Sequence, residues 1–444
     1  MRTQPRGAIL ALGLAVLATV VVMVVVLAGS AIMTNDKTRS LALADASAKS
    51  VATWYAQILN YDAYSNRAIA ANEIMMAQAV TLTAWSQYVQ QLSQNIGAVS
   101  ALIPAVAPVS AWIQEAATLA HQMARTGAMI EVPLRSAYTR ALQSSQQVMH
   151  ASATPFAAQA MVNEVIWSGD SRFFGQIVPS SSVSAFYQFS KNYADDERAK
   201  LADLVRQGID AYSRKRHHDS RLYLWPTTGC VPTSVDRAFS RLIRRGGTWL
   251  TSDYEGWESA DTLSVHTWRR RSRWNPTCGG SGEALALGWG ASDASTFAGD
   301  GMTEDPVSVS ANPRAYRQAR SNTVRVAGYL GLSAHRELSA AVLQSRPTAS
   351  VRVPVMVRLP SAKQVSVAMS RPAASHTPSA ALGNAIWSLS VAETFFHRPP
   401  DTLVDPATRE FANLFSPFWA SRLVAPDSAD RTVATAMAQV GVSR

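Results

Sequence analysis

The chain has 444 residues, 47% apolar and 16% charged, with a formal net charge of +10. It is long enough for two or more folded units and too apolar to be read as disordered. Its two cysteines form no CxxC, which argues against a cysteine-built metal or redox centre, and the basic excess points toward anionic partners.

From Ala8 to Met33 no charge interrupts 26 residues, AILALGLAVLATVVVMVVVLAGSAIM. A helix rising about 1.5 Å per residue crosses a bilayer in roughly 20 apolar residues, so the segment is long enough to be a retained anchor. The competing reading is a cleaved secretory signal, since Ala28-Gly29-Ser30 resembles a small-residue cleavage site, but a signal's apolar core usually spans only about 7 to 15 residues. Arg2 and Arg6 precede the segment, whereas Asp36, Lys37, Arg39 and Asp45 cancel after it. The positive-inside rule therefore puts residues 1–7 in the cytoplasm and predicts that everything beyond the anchor is exported. In an oxidising compartment Cys230 and Cys278 are expected to form a structural disulfide.

Between Asp36 and His150 prolines occur only at 104, 108 and 133, which predicts long helices interrupted near IPAVAP and VPL. Ala44, Ala48, Val51, Tyr55, Ile58 and Leu59 recur at three- and four-residue steps, an amphipathic stripe continuing from the anchor. The following stretch, NYDAYSNRAIAANEIMMAQAVTL from Asn60, has no clean polar face. Asn60, Asp62, Asn66, Arg67, Asn72, Glu73 and Gln78 are scattered among small and apolar residues. A helix of that kind is contacted on most sides, and its amides and charges need partners either inside the chain or across an interface.

Beyond about residue 153 the pattern changes. GQIVPSSSVSAFYQF carries turn and strand signals, KNYADDERAKLADLVRQGIDAYSRKR reads as an exposed helix, and GGTWLTSDYEGWESADTLSVHTWRRRSRW alternates as strands do. Val351, Val353, Val355 and Val357 share one face of a period-two pattern. After a Pro-, Ala- and Ser-rich connection at 371–379, AALGNAIWSLSVAETFF reads as helical. The expected fold class is α+β: a cytoplasmic N-terminus (1–7), a transmembrane helix (8–33), a helical stalk or bundle (34–152), a mainly β-rich domain (153–370), and a C-terminal helical segment with a tail (371–444).

No catalytic, cofactor or metal constellation stands out. Cys278-Gly279-Gly280-Ser281-Gly282-Glu283 misses the Gly-x-Ser-x-Gly turn because Glu283 stands at the second glycine. His217-His218-Asp219 has no second ligand pair and follows Arg214, Lys215 and Arg216, which suggests a solvated surface. Between residues 214 and 273 twelve Lys or Arg face six Asp or Glu. Trp268 and Trp274 bracket Arg269, Arg270, Arg271 and Arg273, a combination able to stack rings and hold phosphates. Export removes nucleic acid as the obvious partner, leaving anionic lipid, an anionic envelope polymer or an acidic protein face. The plain alternative is a charged strand edge that resists misassociation.

The order of hydrophobic anchor, charged collar NDKTR, alanine-rich helix and NR-x4-NE-x4-Q (Asn66, Arg67, Asn72, Glu73, Gln78) resembles the TadG-like proteins of the Tad (Flp) pilus assembly systems. RGAILALGL from Arg6, the stretch from Asn35 to about residue 90, and more weakly GYLGLSAHREL and REFANLFSPFWASRLV carry the likeness. The resemblance implies a single-pass protein of the bacterial inner membrane with the bulk of the chain in the periplasm. It also implies no enzymatic activity or cofactor, and as partners the bilayer, pilin-like chains and other Tad assembly proteins. On that footing Asn60, Asn66, Arg67, Asn72, Glu73 and Gln78 are interaction candidates. Prepilin-type processing would cut after Gly7, but the fifth residue beyond it is Leu12 where pilin subunits usually carry glutamate. That departure, with the chain's length, favours an anchored accessory component over a filament monomer. The alternative expectation is a membrane-tethered module that binds anionic polymer or lipid through the basic, tryptophan-rich surface.

Overall fold

Helix α1 spans Arg6–Ser100 and α2 spans Ala107–Ser152, followed by α3 (Pro155–Gly169). Strands β1 (Phe174–Ile177) and β2 (Ser190–Asn192), helix α4 (Ala199–Gly208) and strand β3 (His218–Pro226) come next. Then follow β4 (Phe239–Leu250), β5 (Gly256–Arg270), β6 (Cys278–Ser295), α5 (Pro313–Ser321), β7 (Val324–Arg325) and β8 (Arg336–Leu338). The chain closes with β9 (Ser350–Leu359), β10 (Ile386–Phe396), β11 (Trp419–Val424) and α6 (Ser428–Val440). The structure, a computed structural model, describes residues 6–100, 107–179, 186, 189–192, 198–296, 302, 304–339, 342, 349–360, 385–397 and 411–440. It is an α+β protein.

One helix among the described residues, the N-terminal part of α1, is long and apolar enough to cross a membrane. Its most apolar window is buried by nothing in the chain. Contacts divide the chain into two compact units, one of residues 1–64, 146–191 and 336–444, the other of 65–145 and 192–335. These do not follow the linear boundaries read from the sequence.

The first unit is built on the sheet β1-β9-β10-β11, antiparallel throughout. Alternation along β9 sends Val351, Val353, Val355 and Val357 to one face, each at most 1% exposed. They pack with the stripe Ala44, Ala48, Val51, Tyr55, Ile58 and Leu59 of α1 and with Val162 and Ile166 of α3. The opposite face carries Met356, Trp387 and Leu389 against Ala434 and Ala438 of α6, so helices cover both sides of the sheet.

At the membrane end the NDKTR collar is tied down. Arg172 bonds Asp36 at 3.0 Å, Arg39 bonds Asp170 at 3.1 Å, and the Lys37 ammonium donates to the Trp387 carbonyl. The Arg172 guanidinium holds the Asp170 carboxyl below the usual range, and burial lowers the Lys37 ammonium.

The second unit holds the sheet β3-β4-β5-β6-β7, antiparallel except for the β6–β7 pair. Residues 65–98 of α1 press onto β6 at Gly288 and Gly290. A Cβ at Gly290 would stand 2.2 Å from the Ala84 carbonyl oxygen, so glycine is required there for the helix to approach. Gln87 fixes the contact, accepting from the Ala291 amide and donating to the Asn322 carbonyl, both at 2.8 Å. Helix α2 runs antiparallel to α1, with Asn72 beside Arg135, Ser86 beside His121 and Gln90 beside Thr118.

Three expectations need correction. Residues 386–396, read as helix, form the central strand β10. Pro133 does not interrupt α2, which runs through it. The segment read as an exposed helix from residue 191 is helical from Ala199, and it buries Leu201, Ala202 and Val205. The connection at 371–379 lies outside the described residues. Cys230 and Cys278 are bridged, with Cα atoms 5.1 Å apart.

Candidate functional site

In the second unit the polar stretch of α1 turns inward. The Asn72 amide donates to the Ala68 carbonyl, and its oxygen accepts from Arg135 at 2.9 Å. Glu73 is fully buried, accepting from the Tyr329 hydroxyl at 3.0 Å and the Trp257 indole at 3.3 Å. Burial pushes its carboxyl up to about 7, against the pull of those two donors. The Gln78 amide reaches Asp210 at 3.4 Å. Asn66 is wholly buried, and only Arg67, Ala71, Met75, Gln78 and Leu82 of residues 65–82 face outward, a single narrow stripe at three- and four-residue spacing. In the first unit Asn60 brackets Trp419, donating to its carbonyl at 2.9 Å and accepting from its amide at 3.0 Å. Asn60, Asn72, Glu73 and Gln78 thus have partners within this chain.

One buried group in the first unit looks like a nucleophile arrangement. His150 Nε2 lies 2.6 Å from Asp62 Oδ2, and Ser190 Oγ lies near the same ring. However, Ser190 Oγ is 3.5 Å from both ring nitrogens, longer than the usual hydrogen bond and favouring neither nitrogen. With Ser190 2% exposed and Phe186 stacked on the imidazole, the group is built as a packed polar core, not as a base beside an accessible hydroxyl. Desolvation raises the Asp62 carboxyl, and the hydrogen bond from His150 opposes that.

The basic, tryptophan-rich segment forms the β5–β6 hairpin tip. Trp268 is anchored: its indole donates to the Asp236 and Phe239 carbonyls, both at 3.2 Å, and Arg237 lies over its ring. Arg270 donates to the Gly229 carbonyl at 2.7 Å. The disulfide and the Val231–Thr277 bridge clamp the neighbouring loop to this tip. Trp274 projects from it, 91% exposed, with Arg269, Arg271 and Arg273 exposed around it. Val231 and Val235 stand out from the clamped loop at 55% and 69% exposure. The structure therefore separates the two tryptophans, one structural and one presented.

The other sequence candidates have structural roles. Arg245 and Arg241 pair with Asp219 and hold its carboxyl low, while His217 Nε2 donates to the Val307 carbonyl at 2.9 Å. His266 bonds Asn312 at 2.8 Å. Glu283 accepts from Ser264 at 2.6 Å and from the first amides of α5, serving as its N-terminal cap. His218 and Asp219 are exposed, but Arg216 in the basic run before them is buried. Its side chain is 1% exposed, forked onto Asp261 at 2.9 and 3.0 Å, with Ser259 and the Tyr212 and Ser213 carbonyls taking its remaining donors. A run of basic letters gives no sign of which one folds inward. Among the described residues no group of three or more His, Cys, Asp or Glu is placed to hold a metal ion.

Comparison with known protein families, curated proteins and solved structures finds no match.

Proposed function

We propose that this chain is a membrane-anchored structural component of a Tad (Flp) type IVb pilus assembly or a related secretion system, coordinating pilus subunits from the inner membrane. Residues 1–7 are cytoplasmic and the folded units periplasmic. The observation that carries this reading is α1: a charge-free segment long enough to span a bilayer continues without a break through a tied-down charged collar into the helix that supports folded sheets. The disulfide suits an oxidising compartment. Deleting the chain from a piliated host abolishes surface pili, and re-expression restores them; undiminished piliation in the deletion strain sinks the reading. Among the interaction candidates Arg67 is the informative one to change, since it faces outward, whereas Asn72 and Glu73 are buried and hydrogen-bonded within the chain. Arg67→Ala reduces piliation while leaving the protein level in the membrane unchanged.

A second reading is favoured by one observation, the exposed Trp274 set among three exposed arginines on a cross-linked tip. Such a tip suits an anionic polymer or lipid of the envelope. Binding of the full-length protein to an anionic polymer that falls with added salt, and falls further in Trp274→Ala with Arg273→Ser, supports it; salt-independent binding refutes it.

A further inference from the structure

Within the second unit, α2 carries an exposed apolar stripe. Trp112, Leu119, Met123, Ile130, Leu134 and Tyr138 are 70%, 57%, 67%, 64%, 68% and 51% exposed. At 3.6 residues per turn the first five fall within an arc of about 60°, with Tyr138 at its rim, and the stripe runs about 39 Å along the helix. No charged residue lies in that arc. Ala116, Gly127 and Ala137 are exposed along the same line, leaving hollows between the large side chains. Around Gly127 nothing stands within 4 Å of where a Cβ would be.

Scattered exposed apolar residues are ordinary, but a contiguous stripe of this length marks a contact surface. Its composition says which kind. Transient partners meet through surfaces about as polar as the rest of a protein, whereas permanent homodimers meet through faces resembling a core cut in two. Fully covered, the six side chains would remove about 800 Å² per copy from water, the size of a standard specific interface. The alternation of large residues with Ala116, Gly127 and Ala137 makes the stripe complementary to itself, large side chains seating in the hollows of an identical face.

We infer that the outward face of α2 is the contact between two copies of this chain. The inference goes beyond the pilus reading and uses only its anchor. Two identical faces pair about a two-fold axis, and an axis running alongside the stripe brings like-numbered positions of the two copies together.

The native cysteines are both in the disulfide, so an introduced thiol is a clean reporter. Full-length Met123→Cys and Ile130→Cys, each in detergent micelles and in its own membrane, are treated with a short bismaleimide. Each variant alone is expected to give a dimer, and mass measurement of the untreated wild type is expected to give two chains per particle. Ile130→Glu, on an exposed position that does not disturb folding, weakens dimerisation by about tenfold or more with an unchanged melting temperature. A monomeric wild type overturns the inference, as does a dimer indifferent to Ile130→Glu. Crosslinking of position 123 to a different protein overturns it in favour of a heterologous partner while leaving the anchor reading intact. Crosslinks only between 123 on one copy and 130 on the other overturn the like-numbered arrangement.

Discussion

At Glu73 a carboxyl group is held wholly out of water with two neutral donors on one oxygen, and the charge of Arg140 acts on it only weakly. Its folded value of about 7 lies above the ordinary 4.5. Below the ordinary value both folded and unfolded chains carry the proton and the contribution to stability is full. As pH rises through the folded value the core must hold a carboxylate, and that contribution is lost. The melting temperature of the wild type should therefore fall between about pH 4.5 and pH 7 relative to Glu73→Gln, in which other titrations cancel; parallel curves for the two proteins would remove Glu73 as the cause. Asp261 is buried and paired with Arg216 at 2.9 and 3.0 Å. Removing one partner leaves the other charge buried without compensation, so Asp261→Ala should destabilise by about 3–5 kcal/mol. Urea denaturation of the detergent-solubilised protein measures this, and a loss under about 1 kcal/mol would mean that water reaches the guanidinium.

Among elements, α1 and β9 were legible because their periods are clean: an uncharged run, a stripe at three- and four-residue steps, four valines in alternation. Strand β10 was not, because its two faces are unlike any simple pattern. Ser388, Ser390, Ala392 and Thr394 face one way, where Thr394 donates to the Ala52 carbonyl of α1 at 2.7 Å, and Trp387 and Leu389 face α6. Small residues on the α1 side allow close approach, but in the sequence they remove the apolar alternation and leave Ala, Leu and Glu to suggest a helix. The interior role of Asn72 and Glu73 was likewise undecided, since an amide in a helix is the same letter whether its partner is Arg135 or another protein. Glycine in β6 is the clearest test of how elements approach. Gly290→Val would drive its side chain into the α1 backbone at Ala84 and Tyr88, which cannot yield as a flexible side chain could. The expected cost is about 1–3 kcal/mol or more, seen as a lowered denaturation midpoint. Gly280→Val, with open space around the position, is the control and should cost little.

For the whole molecule the consequential fact is the interleaving of segments. The first unit needs residues 1–64, 146–191 and 336–444, so it closes only when the end of the chain arrives, whereas the second is complete by residue 335. A chain ending at residue 410 lacks β11 and α6. Strand β10 then becomes a sheet edge, Arg422 no longer answers Glu393, and Trp387, Leu389 and Met356 lose the cover of Ala434 and Ala438. Protection in the first unit should fall because exposed edges and lost apolar burial lower the local opening energy, while the second unit, which contains none of those residues, keeps its own. Hydrogen exchange on the full-length and shortened proteins separates the cases. Amides of β9 and β10 should exchange faster by about tenfold or more in the shortened chain, and those of β5 and β6 should be unchanged. Equal loss in both sheets would show that the two units form one cooperative body, and residues 411–440 would then govern the folding of both sheets.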